Sequence, residues 1–131
     1  MKSFVALALA LASFNVEAVE CPRFYPFTSP EVPHGHSGGG QVRKAALNGA
    51  GVYTGAFIGQ EETIGIPSKI KDGYQRRYAF APNEQKWLVC GYGKNGEVQW
   101  WERLDPKATS CVLQVKGKER AVPEAVTITC R

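Results

Sequence analysis

The chain of 131 residues carries a formal net charge of +4, with 21% charged and 11% aromatic residues and four cysteines. That length suits one domain and excludes two, and so mild a basic excess falls far short of a nucleic-acid footprint. It leaves acidic proteins, anionic glycans and lipid headgroups as the chemistry such a surface attracts.

The N-terminus reads as a secretion signal. Lys2 supplies the positive charge, residues 4–14 form an almost wholly apolar run, and Val16-Glu17-Ala18 offers a small-residue exit, which places the cut after Ala18. The run is well short of the roughly 20 apolar residues that span a bilayer. Cys21 lies near the exit, where bacterial lipoproteins carry an acylated cysteine, but Glu20 stands in the position that such processing reserves for a small residue. A soluble periplasmic or secreted protein with no stable membrane anchor is therefore expected, and export removes nucleic acid from its partners. Lys2 and Glu17 leave together, so the mature chain keeps its charge of +4.

Residues 19–46 read as an extended lead-in, because Pro22, Pro26, Pro30 and Pro33 followed by Ser37-Gly38-Gly39-Gly40 admit neither a long helix nor a central strand. Residues 41–47 fit one helical turn or a short strand equally well. From there to residue 131 the pattern predicts an antiparallel β domain. Val52, Tyr53, Phe57, Ile58, Ile64 and Ile66 interleaved with glycines suit short, bent strands. Pro67-Ser68 and Asp72-Gly73 are turn signals. Residues 74–80 alternate, with Tyr74, Tyr78 and Phe80 on one face and Gln75 and Arg77 on the other, Arg76 interrupting the apolar side. After the turn at Pro82-Asn83-Glu84 comes a dense strand over residues 87–92, then Asn95-Gly96, the strongest short hairpin signal. The returning strand sets Val98, Trp100 and Leu104 against Gln99, Trp101 and Arg103, and ends at Asp105-Pro106. Cys111, Leu113 and Val115, then Val126, Ile128 and Cys130, each alternate with polar or smaller partners on either side of a charged turn at residues 116–120. The fold expected is mainly β: a small antiparallel meander, a sandwich-like pair of sheets or a partly open barrel.

An even number of cysteines in a small exported chain, with no CxxC spacing, points to two structural disulfides rather than zinc or thiol redox chemistry. Cys111 and Cys130 are symmetric about a hairpin centred between Arg120 and Ala121 and fall on its apolar face, so a bridge between them is allowed. Cys21 with Cys90 would then tie the lead-in to the sheet. Cys90 with Cys111 competes, and the sequence does not choose.

Cys21-Pro22, Trp87-Leu88-Val89-Cys90-Gly91-Tyr92, Leu104, Cys111-Val112-Leu113 and Cys130-Arg131 together resemble the pattern of the STY-type family of small exported bacterial proteins. The likeness runs from Tyr78 to Arg131; residues 34–40 depart from it. The resemblance implies an exported, disulfide-bonded β domain and supplies no catalytic or binding residue.

Chemistry is sparse. His34 and His36, the only two histidines, lie in the Pro/Gly-rich stretch, which holds catalytic geometry poorly and brings no further metal ligand nearby; a solvated loop is the plainer reading. Glu61, Glu62, Glu84, Glu97, Glu102 and Asp105 would need to converge to form a glycosidase-type carboxylate pair, and nothing in their spacing demands it. No P-loop, dinucleotide fingerprint or HExxH is present, so no cofactor and no metal are expected. The basic clusters Lys69, Lys71, Arg76, Arg77 and Lys116, Lys118, Arg120 sit at turns, where cations ordinarily serve solubility and edge protection. Trp101, turned opposite to Trp100 and flanked by Gln99 and Arg103, has the composition of a binding hot spot. The expectation is a non-enzymatic exported binding protein whose partner is another exported protein: an inhibitor or immunity protein against a cell-wall-acting enzyme, using Gln99, Trp101, Arg103, Lys116, Lys118 and Arg120. A glycan- or ligand-binding module is the alternative, and a small hydrolase the third.

Overall fold

The computed structural model describes residues 16–26, 44–55 and 61–131. Most of the expected signal peptide, the His34–His36 segment and the pair Phe57 and Ile58 lie outside the described residues. Within them the chain forms strands and no helix: β1 (Glu17–Glu20), β2 (Leu47–Thr54), β3 (Glu61–Thr63), β4 (Ile66–Ile70), β5 (Gly73–Ala79), β6 (Lys86–Tyr92), β7 (Val98–Arg103), β8 (Ser110–Lys116) and β9 (Ala125–Cys130). These build two antiparallel sheets, one of five strands in the order β1-β9-β8-β5-β4 and one of four in the order β3-β2-β6-β7. Neither closes into a barrel.

The alternation of the sequence explains which side chains go inside. Cys111, Leu113 and Val115 of β8, Val126, Ile128 and Cys130 of β9 and Tyr78 of β5 are buried, and they meet Val52, Leu88, Cys90 and Tyr92 of the other sheet in a single core. Fully burying each aliphatic side chain contributes about 1.5–3 kcal/mol. The hairpin β8–β9 has the expected register, with Cys111 opposite Cys130, and its disulfide is formed, as is Cys21–Cys90. The second bridge crosses from the lead-in to the centre of the four-stranded sheet. Beside it the Tyr92 hydroxyl donates to the Pro22 carbonyl at 2.7 Å, and the amides of Cys21 and Leu47 donate to the carbonyls of Val126 and Arg23. The lead-in is thus fastened to both sheets.

The structure differs from the sequence reading in two places. Pro67-Ser68 is not a turn but part of β4, an edge strand, where a missing amide costs no ladder bond. Strands do not run as one meander: β5 pairs with β8 and not with β6, and the β6–β7 hairpin joins the other sheet. Glu17–Glu20, which spans the expected cleavage point, pairs with β9.

Among the described residues Lys86 is the one buried polar or charged residue, with no exposed surface. Its ammonium donates to the carbonyls of Glu84, Asp105 and Pro106 at 2.9, 3.1 and 3.0 Å and lies 5.2 Å from the centre of the Phe80 ring. Burial lowers its pKa from the ordinary lysine value, opposed by the charges of Glu84 and Asp105.

Candidate functional site

Turn geometry brings the two basic clusters to the same end of the sandwich. The amide of Gly117 donates to the Asp72 carbonyl at 2.9 Å, which locks the β4–β5 turn against the β8–β9 loop. Gly73 makes that approach possible, since a Cβ there would overlap the Val115 carbonyl. One recess of about 520 Å³ is lined by Lys69, Lys71, Asp72, Lys116, Lys118 and Glu119 among others, and a second of about 530 Å³ by Lys69, Tyr74, Arg76, Glu119 and Arg120 among others. Cations outnumber acids around both. The ion pair Lys116–Glu124, at 4.0 Å with both side chains more than half exposed, contributes little to stability and leaves the rim positive. Arg77 is not part of it: it points to the opposite, outer face of the sheet, beside Val112.

The β8–β9 loop itself is held in two left-handed conformations, at Gly117 (φ 126°) and at Arg120 (φ 65°). Glycine adopts the first freely, whereas an arginine at the second is uncommon. Val122, two residues on, is 64% exposed.

Gln99, Trp101 and Arg103 lie elsewhere, on the outer face of the four-stranded sheet. Trp101 is turned away from Trp100, which packs against the core, as alternation requires. It is half-buried rather than bare: its ring lies 5.6 Å from that of Tyr53, and its indole N–H donates to the Gln99 side-chain oxygen at 3.2 Å. Arg103 stands 6.0 Å over the Trp87 ring, and Trp87 donates to the Gly55 carbonyl at 3.2 Å. Tyr53, Trp87 and Trp101 thus make an aromatic shoulder. The Tyr53 hydroxyl is pushed above its ordinary pKa, mainly by burial and then by the Glu62 carboxylate.

Next to this shoulder the face drops to bare backbone. Gly49 of β2 sits opposite Gly91 of β6, which sits opposite Gln99 of β7. The resulting hollow, about 180 Å³, is bounded by Asn48, Tyr53, Glu62, Val89, Gly96 and Gln99 among others. Residues 48–50 also line a recess of about 300 Å³ shared with Arg120, Val122 and Pro123. Residues 48–50 are thus shared by the hollow on the sheet face and by the recess beside the basic loop. Sequence reading singled out Gln99, Trp101, Arg103, Lys116, Lys118 and Arg120 but not the glycines that separate the two groups; paired glycines on adjacent strands become visible only once the register is known.

Of the six acids weighed for hydrolysis, three are engaged in turns, while Glu61 and Glu62 lie in β3 and Glu102 in β7. Glu84 accepts from the Ala81 amide at 3.0 Å, Asp105 from the Lys107 amide at 2.9 Å and Glu97 from the Asn95 amide at 3.2 Å. Glu84 and Asp105 flank Lys86, and none of the recesses described above is lined by two of the five acids whose side chains are described. Among the described residues no group of histidine, cysteine, aspartate and glutamate side chains is arranged to hold a metal ion.

Comparison with known proteins gives one finding. Residues 42–131 match the model of a family described as Type VI secretion system Tli immunity protein. That span includes β2 to β9 and both basic turns, and leaves out β1 and Cys21. Neither curated proteins nor solved structures gave a match.

Proposed function

The chain belongs to the family of Type VI secretion system Tli immunity proteins, and from that membership we propose that it binds and blocks a toxic effector enzyme without performing catalysis itself. Family membership across residues 42–131 is the observation that carries this reading. The two disulfides suit an oxidising compartment, which supports a reading in which it works in the periplasm against an enzyme that attacks the cell envelope, with a cell-wall hydrolase the case expected from the sequence. The resemblance to STY-type exported proteins accords with the same compartment.

The physical means is a rigid scaffold presenting loops. On a scaffold stapled by two disulfides, an interlocked pair of turns holds the basic end in one shape, so little conformational entropy is lost on binding. Its positive rim steers an acidic cleft or cleft border into contact. Inhibition needs only that the loops exclude substrate.

The test is to direct the effector to the periplasm of a susceptible bacterium with and without this chain, and to titrate the purified pair. Survival on co-expression, with stoichiometric loss of enzyme activity, is expected. Undiminished toxicity together with no complex would overturn the proposal.

A further inference from the structure

We propose that the glycine-floored hollow and Arg120 form the seat for a protruding acidic loop of the effector, whose main chain lies on the floor while a carboxylate pairs with Arg120. This rests on reading the chain as an immunity protein. Four observations carry it.

First, the fold does not require the glycines. A Cβ placed on Gly49 meets nothing within 4 Å among the described residues, and one on Gly91 comes no closer than 3.7 Å to its neighbours. Neither residue has a positive φ. Glycine within a strand weakens it by roughly 0.5–1 kcal/mol relative to alanine, so two facing glycines reduce stability for no structural return. Gly49 follows the register shift between Leu47 and Gly49, a common setting for a strand glycine, but Gly91 has no such shift beside it, and there close approach by another chain is the remaining reason for glycine.

Second, the floor has an open flank. Among the described residues β3 pairs only with Val52, Tyr53 and Thr54, leaving residues 48–51 with a strand neighbour on the β6 side alone, which suits an extended segment. Third, the loop that lines the adjoining recess carries Arg120 in a left-handed conformation that favours glycine; such strain persists where the side chain has a use. Fourth, the recesses beside that loop gather Lys69, Lys71, Arg76, Lys116, Lys118 and Arg120 against Asp72, Glu119 and Glu124, an excess of cations that sets the sign of the partner although Glu62 lines the hollow itself. A planar guanidinium beside a carboxylate forms a bidentate pair.

The decisive variants are Gly49→Leu, which fills the hollow, and Arg120→Gly, which removes the side chain while relieving its backbone. The probe is the purified effector that the wild-type chain neutralises, with affinity measured by calorimetry and stability by thermal unfolding. Both variants should hold or raise the melting temperature, and each should weaken binding by about tenfold or more. Were Gly49→Leu to destabilise the chain, Arg120→Gly alone would decide. Wild-type affinity in Arg120→Gly overturns the proposal, as does retention of the wild type but not of Arg120→Gly on phosphatidylglycerol vesicles with effector affinity unchanged. Failure of the wild-type chain to bind any effector would instead remove the immunity reading itself.

Discussion

Lys86 and Tyr92 show how much of the core's specificity rests on single polar atoms. All three ammonium donors of Lys86 are used by carbonyls from the β5–β6 and β7–β8 connections, so the residue clamps two crossings between the sheets. Lys86→Met would keep the stem and take the ammonium from three carbonyls, of which that of Asp105 keeps the Ala108 amide as a donor. A loss of about 3 kcal/mol in urea unfolding is expected, and a change under about 1 kcal/mol would mean that water replaces the ammonium. Tyr92 is buried with its hydroxyl on Pro22, and burial pushes its pKa up to about 12. The unfolded tyrosine ionises near its ordinary value of 10.0, below the folded one, so stability present below pH 10 drains away between there and about pH 12. Tyr78 shifts in the same direction. Thermal unfolding across that range should show a shallower alkaline fall in Tyr92→Phe than in the wild type. Neither role was legible beforehand: Lys86 sits beside Trp87 like any strand-end lysine, and only the turn geometry closes three carbonyls around it.

At the scale of elements, the two disulfides do different work. Cys111–Cys130 joins directly opposed residues of one hairpin, 19 apart in sequence, whereas Cys21–Cys90 spans 69 residues and fastens the lead-in to a central strand. In the chain-entropy account, closing these loops is worth about 3 and about 4 kcal/mol respectively. Replacing Cys21 and Cys90 by alanine should therefore cost more in urea unfolding, and should also raise hydrogen exchange at Leu47, whose amide is held by Arg23. Equal protection at Leu47 in the two double variants would show that the remaining hydrogen bonds suffice. The hairpins β6–β7 and β8–β9 were readable because their alternation and turn residues are local. β1 was not, since residues 17–20 resemble the tail of a leader. β4 was not either, since Pro67 is a breaker everywhere except on an edge.

For the whole molecule, the arrangement of charge is the consequence of topology. Pairing of β5 with β8 brings the turn at Asp72 beside the loop at Gly117 and so gathers Lys69, Lys71, Lys116 and Lys118 around one recess. If this rim steers the effector, raising salt from about 50 to 300 mM should slow association by about tenfold with little change in dissociation. Lys118→Glu should reproduce the slowing at low salt, and stopped-flow measurement would reveal a salt-independent rate if another surface makes the first contact. The sequence by itself determined the class of fold, the inward set of cysteines and aliphatic residues, and the opposition of Cys111 to Cys130, because a period of two and a hairpin centre depend only on near neighbours in the chain. Tertiary structure alone decided which sheet each hairpin joined, which turns met, and that Gly49 faces Gly91 beside Arg120. Those depend on how two sheets stack around a shared core, an association between segments far apart in sequence that no local pattern encodes.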